Sequence, residues 1–100
     1  MATAYVCNCD EVAFLAVKKL NELGIKVPDD VSIVGFDNFI HAQLCTPKLT
    51  TFGIDLDKLI TNAVTTMLKK IENPDYFVGR VVVSGDMVIR DSVARYNSSL

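Results

Sequence analysis

Three polar clusters each follow a short apolar run. Asn8-Cys9-Asp10 follows ATAYVC, Asp37-Asn38 follows VSIVGF, and Gly53-Ile54-Asp55 follows LTTF. An ionised carboxylate accepts several hydrogen bonds from hydroxyl groups, and such charge-assisted bonds are among the stronger ones. Carboxylates and amides converging on one rim therefore suit a polyhydroxylated ligand such as a sugar. In open α/β sheets, ligands bind beyond the carboxyl ends of the strands, where all three clusters fall. The candidate ligand-binding set is Asn8, Cys9, Asp10, Asp37, Ile54 and Asp55. A structural role fits several of the same residues. Asp10 and Asp55 stand where N-caps should be, offering carboxylates to free backbone N–H groups, and Asp37-Asn38 can shape a turn.

Other reactive residues form no recognisable constellation. Cys7 and Cys9 make a C-x-C pair, with Cys45 distant in sequence and His41 the one histidine. A structural zinc site needs four ligands, so no metal site is expected. Cys7 reads instead as a small apolar residue buried in a strand. Nucleophilic catalysis needs a base held beside a thiol or hydroxyl, and His41 is placed in a surface loop. Gly24, Gly35 and Gly53 stand apart and match neither G-x-G-x-x-G nor a P-loop. No catalytic residue, cofactor or enzymatic activity is expected. Lys18, Lys19, Lys69 and Lys70 read as solvated helix surface.

The elements that must position the rim are legible from periodicity. Residues 2–7 read as a buried strand. Val12, Ala13, Ala16, Val17, Leu20 and Leu23 follow a helical period that Gly24 closes, and Phe14 and Leu15 widen the stripe enough for cover on two sides. Residues 31–36 form the clearest strand, near-continuously apolar as parallel strands covered on both faces are. Residues 39–48 read as a loop or short helical turn, and 49–52 as a third strand. Leu56, Leu59, Ile60, Ala63, Val64, Met67, Leu68 and Ile71 keep helical spacing throughout, up to Asn73-Pro74. Residues 80–84 and 86–90 read as two strands joined through Gly85, and Ser92 onward as a polar tail. The order is β-α-β-β-α-β. It predicts an α/β fold with a largely parallel sheet and flanking helices.

Composition narrows the class further. One hundred residues suffice for one domain, and half of them are hydrophobic, which excludes intrinsic disorder. Net charge is −2, so general attraction to phosphate backbones is missing. The longest apolar run, Val12 to Val17, is far short of the ~20 residues of a membrane span, so no membrane association is expected. Three cysteines without dense spacing favour a reducing compartment, and the expected location is cytoplasmic.

Four stretches carry a family likeness. The run Cys9-Asp10-Glu11-Val12-Ala13, the string ELGIKVPDDVSIVGFDN at residues 22–38, TPKLTTF at 46–52 and VIRDSVA at 88–94 lie in one register. Together they resemble the LacI/GalR family of bacterial transcriptional repressors over nearly the whole chain. The resemblance implies that residues 1–100 form the C-terminal part of an effector-binding and dimerisation domain, of the periplasmic-binding-protein-like (type I) fold. The helix-turn-helix head would lie outside this chain. It also implies a sugar-like or related small-molecule effector, a homodimer, and contact with DNA only through the missing N-terminal domain. An alternative is a fragment of a periplasmic sugar-binding protein of a transport system, which shares the fold but seldom this string.

Residue by residue, the resemblance makes Asp10 the aspartate that hydrogen-bonds effector. Cys9 stands where the family usually has asparagine, and Ile54 where many relatives place glutamine near the ligand. Leu15 and Ile60 replace glycines common in the family's helices. Phe14, Leu15 and Lys18 fall on the face implied as the dimer interface. The helix at 55–72 would pack on the N-terminal subdomain, so the chain would hold pieces of both lobes.

Overall fold

The computed structural model describes residues 2–96. Among them, four strands and three helices alternate. They are β1 (Ala4–Val6), α1 (Asp10–Glu22), β2 (Ser32–Asp37), α2 (Ile40–Leu44), β3 (Thr50–Ile54), α3 (Leu56–Glu72) and β4 (Gly85–Val88). The strands form one sheet in the order β1-β2-β3-β4. β1 pairs parallel with β2, with Tyr5 opposite Ile33, and β2 pairs parallel with β3, with Phe36 opposite Phe52. β4 and the residues after it run back along β3: Val88 lies beside Gly53, Arg90 beside Thr50 and Asp91 beside Lys48. The α/β expectation with a largely parallel sheet holds, with one returning strand.

Two compact units divide the chain. One contains the residues up to Gly53 together with those from Asp86 onward, and the other is Ile54–Gly85. In the first, α1 lays Ala13 and Val17 on the sheet, against Ile33, Val31 and Leu49, and Ala42 and Cys45 of the α2 region complete the core. α1 stops where expected, because Gly24 adopts φ +77°, a left-handed conformation that glycine enters without steric cost. In the second unit α3 begins at an N-cap. The Asp55 carboxylate accepts a hydrogen bond from the Lys58 amide at 3.2 Å, as the spacing predicts. Lys69 and Lys70 occupy the last turn, where cations complement the helix dipole.

Several expectations are corrected. β1 is an exposed edge strand rather than a buried one, because it has a neighbour on one side only. Within this chain α1 leaves Val12 and Leu15 exposed, so a second cover would come from outside it. Its N-cap is Cys9, without a side-chain bond, because the Asp10 carboxylate turns away from its own helix. Residues 80–84 form no strand, since Gly85–Val88 takes the place beside β3. His41 sits half-buried on α2, its ring edge-on to Phe14 at 5.9 Å, rather than in a surface loop.

Ser92 reverses the reading of a polar tail most clearly. It is fully buried and bridges β2 and β3 where their pairing begins. Its Oγ donates to the Ile33 carbonyl and accepts from the Thr50 amide at 2.9 Å, while its own carbonyl accepts from the Ile33 amide at 2.9 Å. Ala94 continues the connection through the Ser32 hydroxyl. The remainder of the expected tail, 97–100, lies outside the described residues.

Candidate functional site

The start of α1, the turn after β2 and the second residue of β3 are joined by one buried carboxylate. Asp10, the first residue of α1, is fully buried. Its Oδ1 accepts from the Thr51 hydroxyl of β3 at 2.6 Å, and its Oδ2 accepts from the Phe39 amide at 2.7 Å, directly after the turn that ends β2. Gly35 lies against it on β2, and any Cβ there would overlap Asp10 Oδ1. A buried charge is tolerated where hydrogen bonds replace its lost hydration, and both oxygens are served here. Asp10, expected as a ligand contact, spends one hydrogen bond of each oxygen on the protein. Its oxygens are turned into the protein, where they tie the start of α1 to β3 and to the turn after β2.

The exposed polar groups of this rim are its neighbours. Asn8 is exposed and Cys9 half-buried at the end of β1. Asp37 is partly exposed at the end of β2, with Asn38 exposed beyond it. Both adopt left-handed backbone conformations, φ 108° and 62°, which aspartate and asparagine enter more readily than most L residues. Asp37 is the last residue of β2, paired with Gly53 and partly exposed. Asp37-Asn38 is thus both the expected turn and an available polar edge.

The remaining expected ligand residues, Ile54 and Asp55, lie in the second unit. Ile54 is half-buried at the end of β3, and Asp55 is exposed and caps α3. Phe14, Leu15 and Lys18 share α1. Leu15 and Lys18 are exposed, while Phe14 is half-buried against the core.

The Cys7 and Cys45 thiols are not primed for nucleophilic chemistry. Burial pushes the Cys7 thiol up, with a smaller push from neighbouring Cys9. Burial also raises Cys45, against a smaller lowering by the backbone hydrogen bond from Thr46. A thiol so shifted holds less thiolate at neutral pH than an ordinary cysteine. Among the described residues, no group of three or more His, Cys, Asp or Glu side chains is placed to hold a metal ion.

Two positions that organise the rim went unnoticed in the sequence. Thr51 had a signal: consecutive buried threonines in Thr50-Thr51 break the period-2 pattern of a strand. Arg90, which donates to Asn38 Oδ1 at 2.7 Å, had none, because nothing in the local pattern joins it to a turn 52 residues earlier.

A parallel α/β sheet whose strand ends carry a clamped polar rim is the architecture of a ligand-binding lobe. Residues 1–93 match the model of the periplasmic binding protein-like domain, and the chain belongs to that family. It is 34% identical over 93 residues to the HTH-type transcriptional regulator GanR of Bacillus subtilis, covering 93% of this chain and 28% of that protein. Among solved structures it is similar to a LacI family transcriptional regulator from Enterococcus faecalis with bound ribose. That match has a TM-score of 0.88 and 29% identity, over 96% of this chain and 36% of the other. A LacI family regulator from Lactobacillus casei with bound sucrose matches with a TM-score of 0.77 and 26% identity, over 91% of this chain and 33% of the other. The likeness to LacI-type regulators read from the ELGIKVPDDVSIVGFDN string agrees with these relatives. The chain spans 28% of GanR, so it corresponds to a minor part of such a regulator. Among the described residues, no helix is long and apolar enough to cross a membrane.

Proposed function

We propose that this chain supplies one face of the effector-binding site in a cytoplasmic LacI-type repressor. The effector is a sugar or similarly hydroxylated small molecule, and DNA is bound through a head outside this sequence. The observation that carries the reading is Asp37, a partly exposed aspartate in a left-handed turn at the carboxyl end of a parallel strand. Asn8 and Cys9, after β1, are further candidate contacts. The effector favours one arrangement of the protein over another in proportion to its differential affinity, and that population shift alters DNA binding. Regulator relatives, and neighbours solved with ribose or sucrose, support this reading over that of a periplasmic transport receptor.

Titration calorimetry of the full-length protein with ribose and with sucrose tests the proposal. Asp37→Ala should weaken binding at least about tenfold, the scale of one charge-assisted hydrogen bond. Unchanged affinity in that variant would remove Asp37 from the site. Homodimerisation through the α1 face of Phe14, Leu15 and Lys18 belongs to the same reading. Leu15→Lys should shift sedimentation toward monomer, and a dimer of undiminished strength would place the interface elsewhere.

A further inference from the structure

Arg90 lies just past β4 and is not among the residues assigned to ligand, yet it binds into the rim at three points. Its backbone amide donates to Thr50 Oγ1 at 2.9 Å, its Nη1 donates to the Leu49 carbonyl at 2.9 Å, and its Nη2 donates to Asn38 Oδ1 at 2.7 Å. A guanidinium is a planar fork, so its two nitrogens set a fixed spacing between the start of β3 and the turn that ends β2. Asn38 is also confined from the other side: the space at Gly53 is so narrow that a Cβ there would lie 3.1 Å from Asn38 Cβ.

These contacts bear on the least relaxed backbone in the rim. Asp37 at φ 108° and Asn38 at φ 62° lie in a region that L residues rarely adopt, and such conformations persist where the surroundings over-determine them. The contacts that over-determine this one are Phe39 N–H on the Asp10 carboxylate, Asn38 Cβ against Gly53, and the Asn38 amide on Arg90. Among the described residues, Arg90 forms no ion pair with Asp37. Its hydrogen bond into the turn is made through Asn38.

We propose that Arg90 is a positioning residue of the effector site, gripping the Asn38 side chain so that the left-handed turn holds the Asp37 carboxylate toward the ligand. The proposal rests on the reading of Asp37 as a ligand contact. A residue that merely closes β4 onto β3 would act through its backbone amide on Thr50, a bond that survives any change of side chain. The grip on Asn38 needs the guanidinium itself.

The test uses the full-length protein and the variants Arg90→Ala, Arg90→Lys, Asn38→Ala and the double variant Arg90→Ala/Asn38→Ala. Ribose and sucrose are titrated into each, and the shifts of Asp37 and Asn38 are followed by NMR with selective Asp/Asn labelling. The expected result is a roughly tenfold loss of sugar affinity in Arg90→Ala and in Asn38→Ala, with the double variant no weaker than either single one. Arg90→Lys, which keeps the charge but not the fork, should recover little. The backbone shifts in Arg90→Ala should leave the left-handed range. Retention of left-handed φ at both positions in Arg90→Ala overturns the proposal, as do losses that add in the double variant. If the wild-type protein binds neither sugar, the proposed effector class fails, and the NMR shifts still decide the role of Arg90.

Discussion

The unit built around β1–β3 and the unit carried by α3 satisfy their apolar residues in opposite ways. In the first, Ile33, Val31, Ala13, Leu49 and Ala42 are fully buried, and the polar groups among them are paired: Asp10 with Thr51 and Phe39, Ser92 with Ile33 and Thr50. In the second, α3 carries a flawless amphipathic stripe over seventeen residues, none of them buried. Leu59 is 43% exposed and Ile71 is 70% exposed. The difference teaches that amphipathic periodicity specifies a helix and the face it offers, and says nothing about what meets that face. An apolar stripe of this size invites association.

The contrast can be broken or sharpened by mutation. The largest effect is expected in the buried unit: Ile33→Ala should cost about 3 kcal/mol in urea unfolding, the middle of the range for truncating a buried aliphatic side chain. Ile60→Ala on α3, the same chemical change, should cost under about 0.5 kcal/mol beyond helix propensity. Equal losses at the two sites would mean that the α3 stripe is as well covered as the core.

Next come the partners in the carboxylate clamp. Gly35→Ala places a methyl group on Asp10 Oδ1, and Asp10→Asn turns one acceptor into a donor facing Thr51 or Phe39. Each should destabilise by about 2 kcal/mol, from overpacking in one case and an unsatisfied buried group in the other. The two losses should fail to add, since both act on the same contact. Additive losses would separate Gly35 from the clamp.

Asp55→Ala removes the side-chain cap of α3 and should cost about 1 kcal/mol, visible as lost helical ellipticity because burial holds none of that helix in place. The smallest effect is on pH dependence. Burial raises the Cys45 thiol above its ordinary 9.0, so the folded state holds its proton to higher pH than the unfolded chain does. Stability contributed by this group is therefore present below pH 9 and declines as pH rises beyond it. Unfolding of Cys45→Ala compared with the parent between pH 8 and 10.5 checks the sign. A parent that gains stability over that interval relative to the variant would contradict it.

Much of the fold was legible because its signals are local. The Gly24 stop, the Asp55 cap and the helical spacing from Leu56 to Ile71 depend on backbone chemistry within a turn or two, and the structure reproduces each. The buried character of residues 31–33 was equally plain, because a central parallel strand needs apolar residues in succession. The polar rim could be located at strand ends by topology alone. Which of its carboxylates faces outward could not, since Asp10 and Asp37 carry the same group and differ only in what surrounds them.

The sequence by itself determined the largely parallel α/β class, the end of α1 at Gly24 and the start of α3 at Asp55, and its resemblance supplied the family. Tertiary structure alone decided that Asp10 is a clamp, that Ser92 is core rather than tail, that β1 is an edge, and that Arg90 grips Asn38. The reason is separation along the chain. Caps and periodicity act over three or four residues, whereas these contacts join positions 29 to 59 residues apart. They come into being only when the sheet brings those positions together.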